Sequence, residues 1–248
     1  MLTHGKSLAV LLFTGLLFAS IVAGPARAQE DPGRIEVTTT RVLAADNLSP
    51  LERAQTLVTR GIAREALSRP KDALDDFTYA ISLYALPVDE LARARFNRAV
   101  VLEELNRLPE ALADYTLAIN LQRRFAAALN NRANLYRRMG RLAEATADYS
   151  ASLASGNAQG EYPLYGLGQI SEALGKVEAA RGYYEKALAA NPHYALAAQR
   201  LAVLNGPEPL TPGSLTLGPL APAGLDRGHA RPPPTSDPTK APGWRPAN

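Results

Sequence analysis

Cysteine is absent from all 248 residues. No disulfide framework can form, no thiolate can hold a metal, and no cysteine follows the N-terminal apolar run to carry a lipid. An oxidising compartment would neither help nor harm such a chain. Histidine is nearly as scarce: His4, His193 and His229 stand apart, none with a carboxylate or second ligand at metal spacing. No glycine-rich phosphate loop occurs, because Gly166-Leu167-Gly168 falls within a helical pattern and lacks a third glycine and a preceding strand. The paired acids Asp75-Asp76 and Glu103-Glu104 lie on amphipathic helices, where a solvated face is a simpler account than a catalytic pair. With no acid, base, nucleophile or metal set converging, the expectation is a non-enzyme with no cofactor, no metal and no small-molecule substrate. An excess of one charge is lacking too. Residues 1–28 hold Lys6 and Arg27 and no acid, so the remainder carries 25 basic and 24 acidic residues. The isoelectric point of about 9.2 owes part of its height to that stretch and does not argue for nucleic acid as a partner.

Only one long apolar run exists. Lys6 precedes Leu8 to Ala23, Gly24-Pro25 breaks it, and Ala26-Arg27-Ala28 offers an A-x-A cleavage site. This predicts a secretory signal peptide over residues 1–28, cleaved after Ala28, and a mature chain in the periplasm. The run is shorter than the ~20 residues a spanning helix prefers. The alternative is an uncleaved helix that anchors the chain, the one case in which a membrane is a partner. Residues 29–48 are polar and mixed, with Thr38, Thr39 and Thr40 in a row, and read as a flexible lead. At the other end, residues 206–248 hold 11 prolines in 43 residues and read as a disordered tail. That tail is either inert or a tether or ligand for a proline-reading module, with Trp244 as a docking point.

What the chain does have is repetition. Residues 164–192, LYGLGQISEALGKVEAARGYYEKALAANP, make two short amphipathic arms split at Gly175. One such hairpin cannot bury its own apolar faces. Ala73, Ala111, Ala145 and Ala180 follow one another at steps of 38, 34 and 35 residues. Four residues beyond each stand Phe77, Tyr115, Tyr149 and Tyr184; twelve before each stand Gly61, Ala99, Ala133 and Gly168. Further columns read Ala80, Ala118, Ser152, Ala187 and Ile81, Ile119, Leu153, Leu188. A small residue lets two helix backbones approach, and the aromatic fills the space beside it. With this period and pattern the chain resembles the tetratricopeptide repeat family, from Ala54 to about Asn205. The first-arm column, Leu57, Arg95, Leu129 and Leu164, departs from the pattern at Arg95, and Pro192 is the sole terminal proline.

The resemblance implies an all-α fold, a right-handed α-solenoid of four helical hairpins over residues 49–205. The repeats span about 54–91, 92–125, 126–160 and 161–192, with a capping helix at 193–205. Ser49-Pro50-Leu51-Glu52 predicts a capping box. Helices are expected at about 50–67, 70–84, 89–106, 108–121, 124–139, 142–154, 160–174 and 177–190. Residues Ala85 to Val88 lengthen the first inter-repeat turn, and Asp89 is the expected cap after it. In the capping helix Leu196, Leu201 and Leu204 are expected to face the stack and Arg200 to face out.

Two polar patterns remain. Arg60, Arg98 and Arg132 each precede Asp76, Asp114 and Asp148 by sixteen residues, and the fourth repeat changes both members together, to Leu167 and Tyr183. Paired gain and loss predicts an Arg–Asp fork between the arms of one hairpin; the alternative is an arginine ladder for an anionic ligand. Second, the resemblance implies a concave groove lined by the first arms, which takes an extended peptide or partner helix. Its positions fall on Gln55, Val58, Ile62 and Glu65; on Arg93, Phe96, Asn97, Val100 and Glu103; on Asn130, Asn131, Asn134 and Arg137; and on Tyr162, Tyr165, Gln169 and Glu172. Asparagine can bond peptide backbone as donor and acceptor, although these amides also read as plain soluble surface. The basic carboxylate clamp of some family members is missing, since Val58 and Ile62 stand where it needs Lys and Asn. The expected role is a non-catalytic protein-binding scaffold or adaptor in the cell envelope. The alternatives are the same scaffold held by its uncleaved helix, or an accessory part of an enzyme complex.

Overall fold

The protein is described here from a computed structural model, which places residues 31–156 and 160–206. The predicted signal peptide, and the tail beyond Gly206, lie outside the described residues. The described residues form ten helices: α1 Pro32–Leu43, α2 Pro50–Ala66, α3 Pro70–Ser82, α4 Val88–Glu104, α5 Leu108–Leu121, α6 Ala126–Arg138, α7 Leu142–Ala154, α8 Glu161–Ala173, α9 Val177–Ala190 and α10 Ala195–Leu204. Each packs on the next, and α2–α3, α4–α5, α6–α7 and α8–α9 are the tightest pairs. The first arms also meet across repeats, α2 with α4 and α6 with α8. The result is an α-solenoid of four hairpins.

The small and aromatic columns hold each hairpin together. A Cβ on Gly61 would sit 2.9 Å from Cε1 of Phe77, and one on Gly168 would sit 2.4 Å from Cε1 of Tyr184. Ala99 with Tyr115, and Ala133 with Tyr149, occupy the same places in the middle repeats and are fully buried. The turns between the arms share a device. Ser68, Asn106, Gly140 and Gly175, each five residues before the column alanine, all take positive φ. Glycine does so freely, and serine and asparagine do so at a cost. The second arms then start without a side-chain cap, behind Arg69, Arg107, Arg141 and Lys176. Ion pairs Arg69–Asp72, Arg107–Glu110 and Arg141–Glu144 brace three of those first turns.

Three expectations need correction. Residues expected to form a flexible lead are helical over Pro32–Leu43. Asp31 caps that helix by accepting from the Gly33 amide at 3.1 Å, with Pro32 at its first position. The threonine run is no obstacle, because the Thr39 hydroxyl donates to the Ile35 carbonyl at 2.7 Å within the helix. Asp89 does not cap α4, which opens at Val88 behind Pro87; Asp89 lies in the first turn and accepts from Arg93. Arg200 does not face out: it turns back and donates to Glu172 on α8. The capping box at Ser49 is present, with Ser49 and Glu52 exchanging bonds.

Candidate functional site

A polar ladder runs between adjacent hairpins. Arg60 donates from Nε and Nη2 to the two Asp76 oxygens at 2.9 and 2.6 Å. Arg98 closes on Asp114 in the same way at 2.6 and 2.9 Å, and Arg132 on Asp148 at 2.7 and 2.8 Å. Each arginine spends its remaining arm on the preceding helix. Arg60 Nη1 donates to Thr40 at 3.4 Å, Arg98 Nη1 to Thr78 at 3.4 Å and Arg132 Nη1 to Thr116 at 3.2 Å. Asp76 also takes Arg64, and Asp114 also takes Arg95. In the fourth repeat Leu167 and Tyr183 instead share an apolar cluster with Tyr149. With both oxygens of every aspartate occupied, the ladder is a structural clasp and has no free arginine fork for an anion. Thr40 continues it onto α1, as do Glu36 with Arg64 and Arg69. Sequence reasoning missed α1's part; the signal was that Thr40 precedes Thr78 by the same 38 residues that separate Thr78 from Thr116.

The expected groove residues divide into three groups. Val58 and Ile62 are partly buried, packed at their edges against the core. Phe96 and Tyr165 belong to the core and not to an open wall. Phe96 is 1% exposed and stacks near Tyr115 and Phe125; Tyr165 is 1% exposed between Tyr184 and Tyr194. Val100 and Asn97 are also buried, and Tyr162 packs edge-on against Tyr194. The third group is polar and is carried by α6 and α8. Asn130, Asn131, Asn134 and Gln169 are buried, so the plain-surface account of these amides fails. Arg137 is 1% exposed.

Asn130, Asn134 and Arg137 recur every three or four residues, which puts them on one face of α6. The Tyr149 hydroxyl donates to Asn134 Oδ1 at 2.6 Å, and Asn130 Nδ2 donates to Asn131 Oδ1 at 3.4 Å. Asn131 lies against the Tyr115 hydroxyl and Arg137 against the Tyr149 hydroxyl, while Asn134 Nδ2, Asn130 Oδ1, Arg137 Nε and Nη2 and the Tyr165 hydroxyl form no hydrogen bond among the described residues. The Arg137 charge is felt on two helices. Burial pushes the Tyr149 hydroxyl up to about 12 and raises Tyr165, and in both cases Arg137 pulls the other way. Burial also raises Tyr184 and Tyr194, with the Glu172 charge adding at Tyr184. Glu172 itself is committed to Arg200.

On the other side of α6, Arg138 donates to Glu103 at 2.6 Å, and the Tyr115 hydroxyl donates to the same carboxylate at 3.1 Å. Glu103, Glu104, Glu65 and Arg138 edge an open depression of about 430 Å³. Burial raises the Glu103 carboxyl, and burial with the Glu65 charge raises that of Glu104. Among the described residues no group of histidine, cysteine and acidic side chains is placed to hold a metal, and no helix is long and apolar enough to cross a membrane.

Family models described as tetratricopeptide repeat match residues 58–128, 126–154 and 162–194. No curated protein matches the sequence. Solved structures share the fold at low identity. The crystal structure of YrrB, a TPR protein with an unusual peptide-binding site, superposes with a TM-score of 0.58 at 18% identity, over 79% of this chain and 91% of that one. MamA gives 0.56 at 20% identity, over 69% of this chain and 99% of that one. A tetratricopeptide repeat protein from Parabacteroides merdae gives 0.62 at 18% identity, over 81% and 73%.

Proposed function

Since the chain belongs to the tetratricopeptide repeat family, we propose that it is a non-catalytic adaptor that holds a segment of a partner protein along the inner wall formed by α2, α4, α6 and α8. The fold is that of a protein-interaction scaffold. The observation that carries the reading is the set of buried polar atoms on α6 and α8 with no hydrogen bond among the described residues, Asn130 Oδ1, Asn134 Nδ2, Arg137 Nε and Nη2 and the Tyr165 hydroxyl, because buried polar groups are normally satisfied. YrrB, which shares the fold, has a peptide-binding site by its own description. The envelope is the proposed location, supported by the composition of residues 1–28, and N-terminal sequencing of the mature chain tests it. A first residue of Gln29 is expected; Met1 at the start would favour an anchored form.

Photo-crosslinking in cells tests the wall. A photoreactive residue is placed at Gln55 or Arg93 on the first arms, and at Lys71 or Lys186 on the second arms. Adducts to one partner from the first pair and not from the second are expected. Equal labelling from both pairs would overturn the proposal.

A further inference from the structure

Within the described residues the solenoid begins and ends on half a hairpin. α1 stands in the place of a second arm, because Thr40 accepts from Arg60 as Thr78 accepts from Arg98 and Thr116 from Arg132, each threonine on the helix before its arginine. No first arm precedes it among the described residues. α10 stands in the place of a first arm: 34 residues beyond Leu164, Leu167 and Gly168 lie Ala198, Leu201 and Ala202. No second arm follows it among the described residues. The face that a second arm would cover is bare. Ala195, Ala198 and Ala202 recur at helical spacing and are exposed, and Leu201 beside them is only partly buried. A terminal helix that met only water would carry a polar face there, and this one carries no charge. On α1 the corresponding face carries Ile35, Thr38 and Val42, each partly exposed and again uncharged. The two faces match column by column. Leu57 shares a core cluster with Ala80 in the first hairpin, and Leu164 with Ala187 in the fourth; their counterparts at the ends are Ala198 and Val42. The Arg–Asp columns end as Leu201 and Thr38, so joining the arms would strand no charge, just as Leu167 and Tyr183 share an apolar cluster in the fourth repeat. The chain has no obvious arm of its own to add. Residues 207–220 hold four prolines and two glycines, a composition unsuited to a helical arm, and the cleavage proposed after Ala28 would leave only Gln29 and Glu30 ahead of Asp31.

We infer that these ends are the two halves of one interface, and that copies of this chain stack head to tail, with α10 of one copy and α1 of the next closing a fifth hairpin. The contact is heterologous, one surface meeting a different one, so it does not close as a twofold dimer and each joined pair still presents both ends. Arms of ten and twelve residues make a small interface, about 1,200 Å² or less, so assembly rises and falls with concentration. The inference does not depend on what the inner wall binds.

Sedimentation velocity of the purified mature chain, run from micromolar to millimolar concentration, tests it. The average mass is expected to climb past that of a dimer. Ala198→Glu puts a charge on the α10 face and Thr38→Glu puts one on the α1 face, and circular dichroism checks that both fold. Each variant alone should stay monomeric, because burying an unpaired carboxylate is costly. Mixed in equal amounts they should form dimers and nothing larger, since the Ala198→Glu chain keeps a sound α1 and the Thr38→Glu chain a sound α10. If either variant fails to fold, Ala198→Cys combined with Val42→Cys takes its place. The chain has no other cysteine, so a short bismaleimide should link the double variant into a ladder of multimers and neither single variant into one. A Thr38→Glu chain that still dimerises would show α10 pairing with its own copy and overturn the proposal. A mixture that stays monomeric, or a double-cysteine chain without the ladder, would overturn it as well. So would a wild-type chain that is monomeric at every concentration, which would leave α10 to the tail or to another protein.

Discussion

Gly168 sits inside α8, where glycine ordinarily weakens a helix by about 0.5–1 kcal/mol relative to alanine. Its neighbour reverses the sign. An added Cβ would lie 2.4 Å from the Tyr184 ring, and Tyr184 is wholly buried and cannot swing aside. Overpacking of this kind costs about 1–3 kcal/mol, more than the helix gains. Gly168→Ala is therefore expected to lower stability by at least about 1 kcal/mol, measured by urea unfolding. Gly182, on the same hairpin, meets nothing within 4 Å, so Gly182→Ala serves as the control and should not destabilise. The close approach at Gly61 and Gly168 was legible in the sequence, because the small residue keeps a constant distance from the aromatic. The positive φ at Ser68 and Asn106 was not, because those side chains hide a turn that Gly140 and Gly175 announce.

Helices joined in a row depend on what crosses between them. Asp114 on α5 holds Arg98 and Arg95 of α4, and Arg98 reaches Thr78 on α3, so one carboxylate clasps three helices. Asp114→Asn keeps the shape and removes the charge. Its arginines keep 20–21% side-chain exposure, so water relieves part of the loss and the expected cost is about 1–3 kcal/mol rather than the larger figure for a sealed pair. Arg98→Lys should lose about as much of the clasp, because an ammonium cannot close on two oxygens. Both are measured by chemical denaturation, and cost-free variants would show the ladder to be decorative. At this scale the sequence was a good guide to where helices run, since apolar spacing and turn residues are local signals. It misjudged α1, whose polar faces are satisfied by Arg60, Arg64 and Arg69 from residues 20 to 33 positions later. No window on α1 alone contains that information.

For the molecule as a whole, buried tyrosines set an alkaline limit. Burial lifts the Tyr149 hydroxyl to about 12 and raises those of Tyr115, Tyr165, Tyr184 and Tyr194. The unfolded chain releases these protons near pH 10 and the folded chain holds them, so the folded state binds more protons in between. Stability should be intact below pH 10 and fall as pH rises toward 12, by up to about 1.4 kcal/mol per pH unit for each phenol. Thermal melts from pH 9 to 12 measure the slope. Tyr149→Phe should make it shallower, and an unchanged slope would assign the alkaline loss to other groups. Because each hairpin touches mainly its neighbours, loss of the Tyr149 contacts is felt first between α7 and α8.

The sequence by itself determined the repeat, its period, the helix pairs and the Arg–Asp partners. Each of these depends on residues spaced regularly along the chain, and helical geometry turns regular spacing into contact. The tertiary structure alone decided which inward-facing side chains became core, as Phe96 and Tyr165 did, and which polar ones were buried, as Arg137 was. The reason is that periodicity gives the direction in which a side chain points. What it meets there depends on neighbouring helices whose approach is set by every other contact in the stack.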